Sequence, residues 1–426
     1  MNILMLGRWL PPSRRPVRAT REYQFARRLA RSHQITLAFI SDQPDAAGPI
    51  SALRSEFSDL EFASVPRRWK SLAGALSLAV GESCTLSYFR SEALRTRVAD
   101  RLQRAPYGLI FVTSSSMLQY TRDIDPAIPL LVDFGFVDSE WWAAQGARAG
   151  IPSGRFFRTE AARLRAAESA AARRAVRCIA ATPAAARTVQ SFAPGVPTSV
   201  IENGLDLDFS GPALRPKADP TVLVSAGAAT DGCLEGIVEF FRGIAAPLKA
   251  RFPLVRFVLL TRDPLVKLKA PANLPGFEIA GPSVDLRTLF HGHAVAVAPP
   301  VPGLDLRASV LEPMAAGLPV VGGTYVCDEL GADASQALVV CETVADFSAK
   351  IARLVEDASR RAEVGARGKA YVAARYSWDV LTQRLGTIVD DLARSAATPT
   401  LLAGISRSGG EEAERHPGRS LNGDAR

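Results

Sequence analysis

Short apolar runs alternate with amphipathic stretches along most of the chain. Asn2 to Leu6, Gln34 to Ile40, Leu109 to Thr113, Pro129 to Asp133 and Arg177 to Ala181 are dominated by apolar residues, the pattern of strands buried on both faces. Glu61 to Val65 and Thr198 to Ile201 are shorter strand candidates. Between them, Thr20 starts a helix running to about Ser32. Tyr23, Ala26 and Ala30 share one face of it, and Arg21, Arg28 and Arg31 lie largely on the other. Ser91 to Arg104, 157–177 and 183–192 are further helices. Strand, helix, strand within 40 residues is one βαβ unit. A first strand at residue 2, followed by Pro11 and Pro12, suits a Rossmann-like domain whose first loop lies at the carboxyl edge of its sheet.

Between Asn203 and Asp219 the composition turns to Gly, Pro and polar residues, which reads as a linker. A second alternation follows: strand from Thr221, helix 232–251, strand 256–261, short strand 277–281 and helix 285–291. The stretch 294–323 reads as strand, polar loop, helix, strand. Ser309 and Glu312 have the Ser-x-x-Glu spacing of a capping box, and Gly317 ends that helix. Strand 337–341, helices 345–356 and 359–374, and a last helix capped by Ser377 complete the order. The expected division is a first Rossmann-like domain over 1–202, a linker over 203–219 and a second domain over 220–376. A helix over 377–394 crosses back, and a Gly/Ser-rich tail over 395–426 lacks the apolar content to pack.

Composition narrows the class. The chain has 426 residues, 47% hydrophobic and 22% charged, enough for two domains. Of the 51 basic residues, 27 fall in the first 200 against 16 acidic ones, so the first half expects an anionic partner. No aromatic stacking platform accompanies that charge, which argues against nucleic acid. The five cysteines are odd in number and lack CxxC spacing, and only four histidines occur, so neither a disulfide framework nor a metal site is expected. The N-terminus lacks the basic region of a signal peptide. The apolar run 72–80 is far shorter than the ~20 residues a membrane span needs. A cytoplasmic protein is expected, with room for peripheral contact with an anionic membrane.

Several segments resemble family 4 glycosyltransferases of the GT-B fold. In the second half they are Asn203-Gly204-Leu205-Asp206, the run 277–285, Ser309 to Val321 and Tyr376-Ser377-Trp378. In the first half, Pro11-Pro12, the runs 113–121 and 132–142, and 155–168 are similar to the exopolysaccharide glycosyltransferases associated with exosortase (PEP-CTERM) loci. The resemblance implies an α/β protein of the GT-B fold, two Rossmann-like domains facing across a cleft with the C-terminal helix returning to the first. It implies transfer of a sugar from a nucleotide-sugar to an exopolysaccharide or lipid-linked glycan, retaining and metal-independent. The nucleotide-sugar is then a substrate and no cofactor is needed.

Such transfer needs cations and N–H donors for the leaving diphosphate, an acceptor for the ribose hydroxyls, and an acceptor hydroxyl held near the anomeric carbon. By resemblance Glu312 is the ribose ligand. The N–H groups of Ser309 and Val310 face the diphosphate, and Pro282 and Val284 frame the base. Two departures stand out: Leu304 occupies a position where relatives carry an acid, and Ser309 one where they carry Lys. Asp305 and Arg307 are the nearest substitutes, and Arg262 follows a strand where relatives also have Arg. In the first half, Arg14, Arg15 and Arg18 replace a Gly-rich loop and can grip phosphate through their side chains. Asp138, in the loop after a strand, is the candidate acceptor contact, with Asp133 nearby. His33 is expected to be structural. Arg158, Arg163, Arg165, Arg173, Arg174 and Arg177 can meet an anionic membrane carrying a lipid-linked acceptor. The missing cations leave two other functions open, a non-catalytic GT-B protein that binds glycan or a partner, and a nucleotide-sugar 2-epimerase.

Overall fold

A computed structural model describes residues 1–8, 20–41, 53–54, 56–57, 59–65, 81–205, 207, 221–227, 231–261, 276–281, 289–290, 294–301 and 306–397. The first sheet comprises β1 (Asn2–Arg8), β2 (Gln34–Ser41), β3 (Asp59–Ser64), β4 (Leu109–Thr113), β5 (Leu130–Phe134), β6 (Arg177–Ala180) and β7 (Thr198–Val200). They run parallel in the order β3-β2-β1-β4-β5-β6-β7. The second comprises β8 (Thr221–Gly227), β9 (Arg256–Thr261), β10 (Phe277–Ala280), β11 (Val295–Ala298), β12 (Val320–Gly323) and β13 (Val339–Cys341). It is also parallel, in the order β10-β9-β8-β11-β12-β13. Each order reverses direction once, between β1 and β4 in the first sheet and between β8 and β11 in the second. The crevice at the carboxyl end of such a reversal is where open α/β sheets hold ligands.

The helices are α1 (Arg21–Leu29), α2 (Cys84–Tyr88), α3 (Glu92–Arg104), α4 (Asp138–Arg148), α5 (Ser153–Arg174) and α6 (Pro183–Phe192) in the first half. The second half has α7 (Asp231–Arg251), α8 (Glu312–Ala315), α9 (Thr324–Leu330), α10 (Val344–Glu356) and α11 (Ala358–Tyr376), followed by α12 (Trp378–Ala397). Thr20 caps α1 by accepting from the Tyr23 N–H at 3.3 Å, and Ser377 caps α12 by accepting from Val380 at 3.3 Å. Gly317 ends α8 with φ +82°, a conformation that costs little without a Cβ.

Successive residues of β1 face opposite sides, so the first sheet has two cores. Leu4 and Leu6 pack with Leu94, Val98, Ala171 and Ala172 on one side. Ile3 and Met5 pack on the other with Phe25, Leu29, Leu381, Leu385 and Val389. The last three come from α12, so this helix completes the first domain's core. All three have no exposed surface, and their burial is worth together about 5–9 kcal/mol. Gly204 lies against the Trp378 indole: a Cβ there would come within 2.3 Å of the ring. The Leu205 N–H bonds the Tyr376 carbonyl at 2.8 Å. The two short motifs at 203–206 and 376–378 are thus one structural unit.

The structure corrects several local expectations. On α1, Ala30 is exposed, while Arg21 is buried beside Tyr23, Phe25, Ala26 and Leu29. The segment after β5 is not a loop through Asp138 but begins α4 there. Asp138 and Glu140 in its first turn complement the helix dipole, and the Trp142 ring packs on Phe156 and Phe157. Ser309 does not start a helix. The chain is already helical at Leu306, and a π-helical turn, Arg307–Leu311, runs directly into α8, with Ser309 wholly buried inside it. Helix α12 extends to Ala397, into the expected tail. The apolar run 72–80 lies outside the described residues.

Candidate functional site

The crevice at the first sheet's reversal is a cleft of roughly 250 Å³ lined by Arg8, Arg21, Glu22, Thr113, Ser114, Asp133 and Asp138, with Asn203 of the linker. Arg8 ends β1, Thr113 ends β4, and Asp133 is the penultimate residue of β5. After β4 the chain turns sharply: Ser114 has φ 117°, a conformation rarely adopted by a side-chain-bearing residue and costing ~1–3 kcal/mol. A 3₁₀ helix, Ser115–Thr121, follows. Strain of this kind concentrates at functional positions, here on the lip of the cleft.

Arg21 and Asp133 form a buried two-pronged ion pair, Nε to Oδ2 at 2.7 Å and Nη2 to Oδ1 at 2.9 Å. Arg21 also donates to the Glu202 carbonyl at 2.9 Å and to Asn203 Oδ1 at 3.3 Å, and its guanidinium lies 4.4 Å from the Phe25 ring centre. Asp133 is therefore held by a salt bridge, and Asp138 lines the same cleft. Burial pushes the Asp138 carboxyl above the usual aspartate range, against the charge of Arg8 and the polar groups of Ser115. Glu22 is also raised, by burial first and then by the nearby Asp133 charge, while a backbone hydrogen bond, Arg21 and Arg8 oppose the shift. Behind Asp138 stands Glu168 of α5, which has no exposed surface. It accepts from the Ser115 hydroxyl at 2.7 Å, the Ser139 N–H at 3.2 Å and the Ser139 hydroxyl. Burial raises its pKa too, opposed by these Ser139 and Ser115 bonds.

In the second domain Glu312 is almost fully buried at 6% exposure, at the junction of the π-helical turn and α8. Arg307 points to it at 3.9 Å but is also bound to the linker, donating to the Asn203 carbonyl at 3.3 Å and the Gly204 carbonyl at 2.8 Å. Residues 202–204 are thus gripped by Arg21 from the first domain and Arg307 from the second. Ser309 and Val310 lie in the first turn after Arg307, both with no exposed surface. The structure therefore gathers Glu312, Arg307, Ser309 and Val310 at the second sheet's reversal. Arg14, Arg15, Arg18, Arg262, Pro282, Val284 and Asp305 lie outside the described residues.

The arginines of α5 from Arg158 on, and that at the start of β6, are engaged with the segments around them. Arg158 donates to the Gly146 carbonyl, Arg163 to Glu82 O, Arg173 to Phe192 O, and Arg174 to Thr121, Ile124 and Asp125 carbonyls. Arg165 binds Ser139 and Glu140, and Arg177 at the start of β6 binds Ser199. These guanidiniums tie α5 to the loops around it. Arg8, Arg21, Ser115 and Glu168 are site residues that sequence reasoning missed. His33, at 3.3 Å from Asp390 of α12, sits where a structural role was expected, its pKa lowered by burial despite the partner carboxylate. Among the described residues, no group of His, Cys, Asp and Glu could hold a metal, and no helix is long and apolar enough to cross a membrane.

Two parallel Rossmann-like sheets, a linker pinned between them and a final helix returning to the first define a protein of the GT-B class. Residues 220–357, about a third of the chain, match the family model of the group 1 glycosyl transferases, so this segment is a group 1 glycosyl transferase domain. Over 91 residues the chain is 35% identical to a GDP-mannose-dependent monoacylated alpha-(1-6)-phosphatidylinositol monomannoside mannosyltransferase of Corynebacterium glutamicum. That match covers 20% of this chain and spans about a quarter, 24%, of the relative's length. In fold, 92% of the chain superposes on 99% of a sucrose-phosphate synthase from Thermosynechococcus elongatus, with TM-score 0.55 and 14% identity. Anabaena HepE in complex with UDP-glucose is similar over 92% of this chain and 100% of its own, with TM-score 0.53 and 14% identity. At these identities the likeness is one of fold.

Proposed function

We propose that the protein is a glycosyltransferase, moving a sugar from a nucleotide-sugar to an exopolysaccharide or lipid-linked glycan, as the family 4 and exosortase-associated enzymes it resembles do. The observation that carries this reading is the position of Glu312. It is a buried carboxylate at the reversal of a group 1 glycosyl transferase domain, where it can accept from both ribose hydroxyls. By the resemblance, the N–H groups of Ser309 and Val310 serve the diphosphate. Across the linker, Asp138 presents a carboxyl to the acceptor hydroxyl. Support for the donor class comes from the relatives, one dependent on GDP-mannose and one holding UDP-glucose. The acceptor of the mannosyltransferase relative is a glycosylated phospholipid by its name, which supports a lipid-linked acceptor here. Transfer is retaining and needs no metal, the donor phosphate taking part in the proton's removal. The protein works in the cytoplasm against the inner membrane face.

Arg307 favours one second reading. Its guanidinium is engaged by the linker carbonyls, so the cation nearest the diphosphate is shared with a structural task. A GT-B protein that binds a nucleotide without turnover fits that arrangement. Calorimetry with UDP-glucose and GDP-mannose tests both readings. Binding of either is expected, weakened by Glu312→Ala by about 1.5–3 kcal/mol, ten- to hundredfold in Kd, as loss of a charged hydrogen bond requires. Transfer of radiolabel to a membrane extract then separates the transferase from the binder. Failure to bind any nucleotide sugar sinks both.

A further inference from the structure

Ile151, in the turn between α4 and α5, is 90% exposed, although isoleucine is among the residues most often buried. Trp141, on α4 of the same hairpin, is 45% exposed. Trp141, Ala144 and Arg148 follow one another at helical spacing, and all three are exposed. From Trp141 to Thr159 the chain carries Arg148, Arg155 and Arg158 and no acidic residue. Arg158 donates to the Gly146 carbonyl, whereas Arg148 and Arg155 are exposed and form no ion pair among the described residues. The acids that flank the segment are both engaged. Glu140 binds Arg165, and Glu160 is wholly buried, accepting from the Ser83 hydroxyl and the Cys84 and Thr85 N–H groups. A single exposed hydrophobic residue means little. Leu254 is such a residue, 67% exposed, and its neighbour Arg251 is paired with Glu356. At the α4–α5 tip, exposed apolar and uncompensated cationic side chains occur together.

The tip holds these side chains on a fixed frame. The Ala149 N–H bonds the Gln145 carbonyl at 3.0 Å, Gly154 bonds Gly150 at 2.8 Å, and Arg155 bonds Pro152 at 3.0 Å. A Cβ on Gly154 would meet the Ala149 carbonyl at 2.7 Å, so the chain closes tightly there. Below the turn, the Trp142 ring centre lies 5.9 Å from that of Phe156 and 5.6 Å from that of Phe157. Internal hydrogen bonds of this kind are what an apolar surrounding demands of backbone groups, and a preformed tip loses little entropy on contact.

We infer that the α4–α5 tip docks the protein on an anionic lipid bilayer. Ile151 and Trp141 enter the boundary between headgroups and acyl chains, and Arg148 and Arg155 meet lipid phosphates. A second copy of the chain is a poorer occupant, because a symmetric contact would set the same uncompensated arginines against each other. Helix α4 begins at Asp138 in the cleft, and its 11 residues span about 16 Å. Docking therefore places the cleft about one helix length from the tip, within reach of a lipid-linked glycan. That acceptor rests on the transferase reading; the docking surface itself stands on exposure and charge.

Flotation of the full chain with vesicles of equal phosphatidylcholine and phosphatidylglycerol at low salt tests the docking. Ile151→Asp is expected to weaken partitioning about tenfold or more, since it replaces a buried apolar side chain by a charge. Arg148→Ala with Arg155→Ala should weaken it about twentyfold, each arginine near an anionic surface contributing about fivefold. Leu254→Asp, the same kind of change on the second domain, should leave partitioning as in wild type. Wild-type protein that fails to float, tip variants that float like wild type, or an equal loss from Leu254→Asp overturns the proposal. Sedimentation velocity showing a wild-type dimer that Ile151→Asp dissociates would also overturn it, giving the tip to a second copy. Should Ile151→Asp lower Tm, the arginine variant decides alone. Nucleotide-sugar binding is expected to be the same in every tip variant. Wild-type protein that binds nucleotide-sugar but no vesicle refutes the docking and leaves the transferase reading standing; vesicle binding without nucleotide binding does the reverse.

Discussion

Replacing Arg21 by Met tests how far the first domain depends on one buried ion pair. The guanidinium is 9% exposed and its partner Asp133 2%, so water screens neither. Met fills the space of the aliphatic stem but leaves Asp133 without its two donors and leaves the Glu202 carbonyl and Asn203 amide without theirs. Breaking a buried pair by removing one partner costs about 3–5 kcal/mol, because the remaining charge stays desolvated. The Arg21→Met/Asp133→Leu double variant removes both charges and is expected to recover at least ~2 kcal/mol of that loss. Urea unfolding followed by tryptophan fluorescence isolates the relevant domain. All five tryptophans (Trp9, Trp69, Trp141, Trp142 and Trp378) lie in the first 202 residues or in α12. A cost below about 1 kcal/mol for Arg21→Met, or a double variant no more stable than the single, would refute the argument.

Other substitutions probe separate features. Gly204→Ala puts a Cβ 2.3 Å from the Trp378 ring and should cost about 1–3 kcal/mol, seen as a lower Tm with a shifted tryptophan emission. Glu22 has a raised pKa in the folded state, so between the ordinary glutamate value of 4.5 and that raised value the folded protein binds the extra proton. Its contribution to stability therefore falls as pH rises through this window, and Glu22→Gln should gain stability over wild type on going from pH 4.5 upward. A difference independent of pH would contradict the burial argument. Burial pushes the Cys178 and Cys341 thiols up to about 12, so both should resist a thiol reagent at pH 8 until the chain is unfolded. Peptide mass mapping after brief labelling reads this out directly. Sedimentation with anionic liposomes at low salt should carry the protein down, and added salt should release it.

The sheets were legible because buried parallel strands need runs of apolar residues wherever they fall in the chain, as at Leu109 to Thr113 and Val295 to Ala298. Arg21 was not, since periodicity assigns a charged residue to the solvent side. The partner that permits its burial stands 112 positions away in the sequence. Ser309 shows a different failure. The Ser-x-x-Glu spacing fits a helix start and a helix interior equally, and here the helix begins earlier, where Arg307 holds the linker carbonyls. The α5 arginines look like a basic surface as a composition, yet Arg158, Arg163, Arg173 and Arg174 also donate to backbone carbonyls that no sequence pattern reveals. Glu312 is singled out only by the resemblance to a family, because a single Glu in a helix has no local signature. Ser115 lay within the Ser114-Ser115-Ser116 run that follows β4, but its carboxyl partner, Glu168, comes from α5.

The place of α12 bears on how the protein is made. During synthesis the strands of the first sheet leave the ribosome long before Leu381, Leu385 and Val389, the side chains that cover Ile3, Met5 and Phe111. Until then one face of that sheet is open to water, with an apolar surface the size of a helix. The second domain, by contrast, has its sheet and its packing helices within 221–376 and can close first. Domains of nascent chains ordinarily fold in the order they emerge. Here the order is reversed in part, and chains stalled or cleaved before residue 378 should be held by chaperones through the uncovered face of the first sheet.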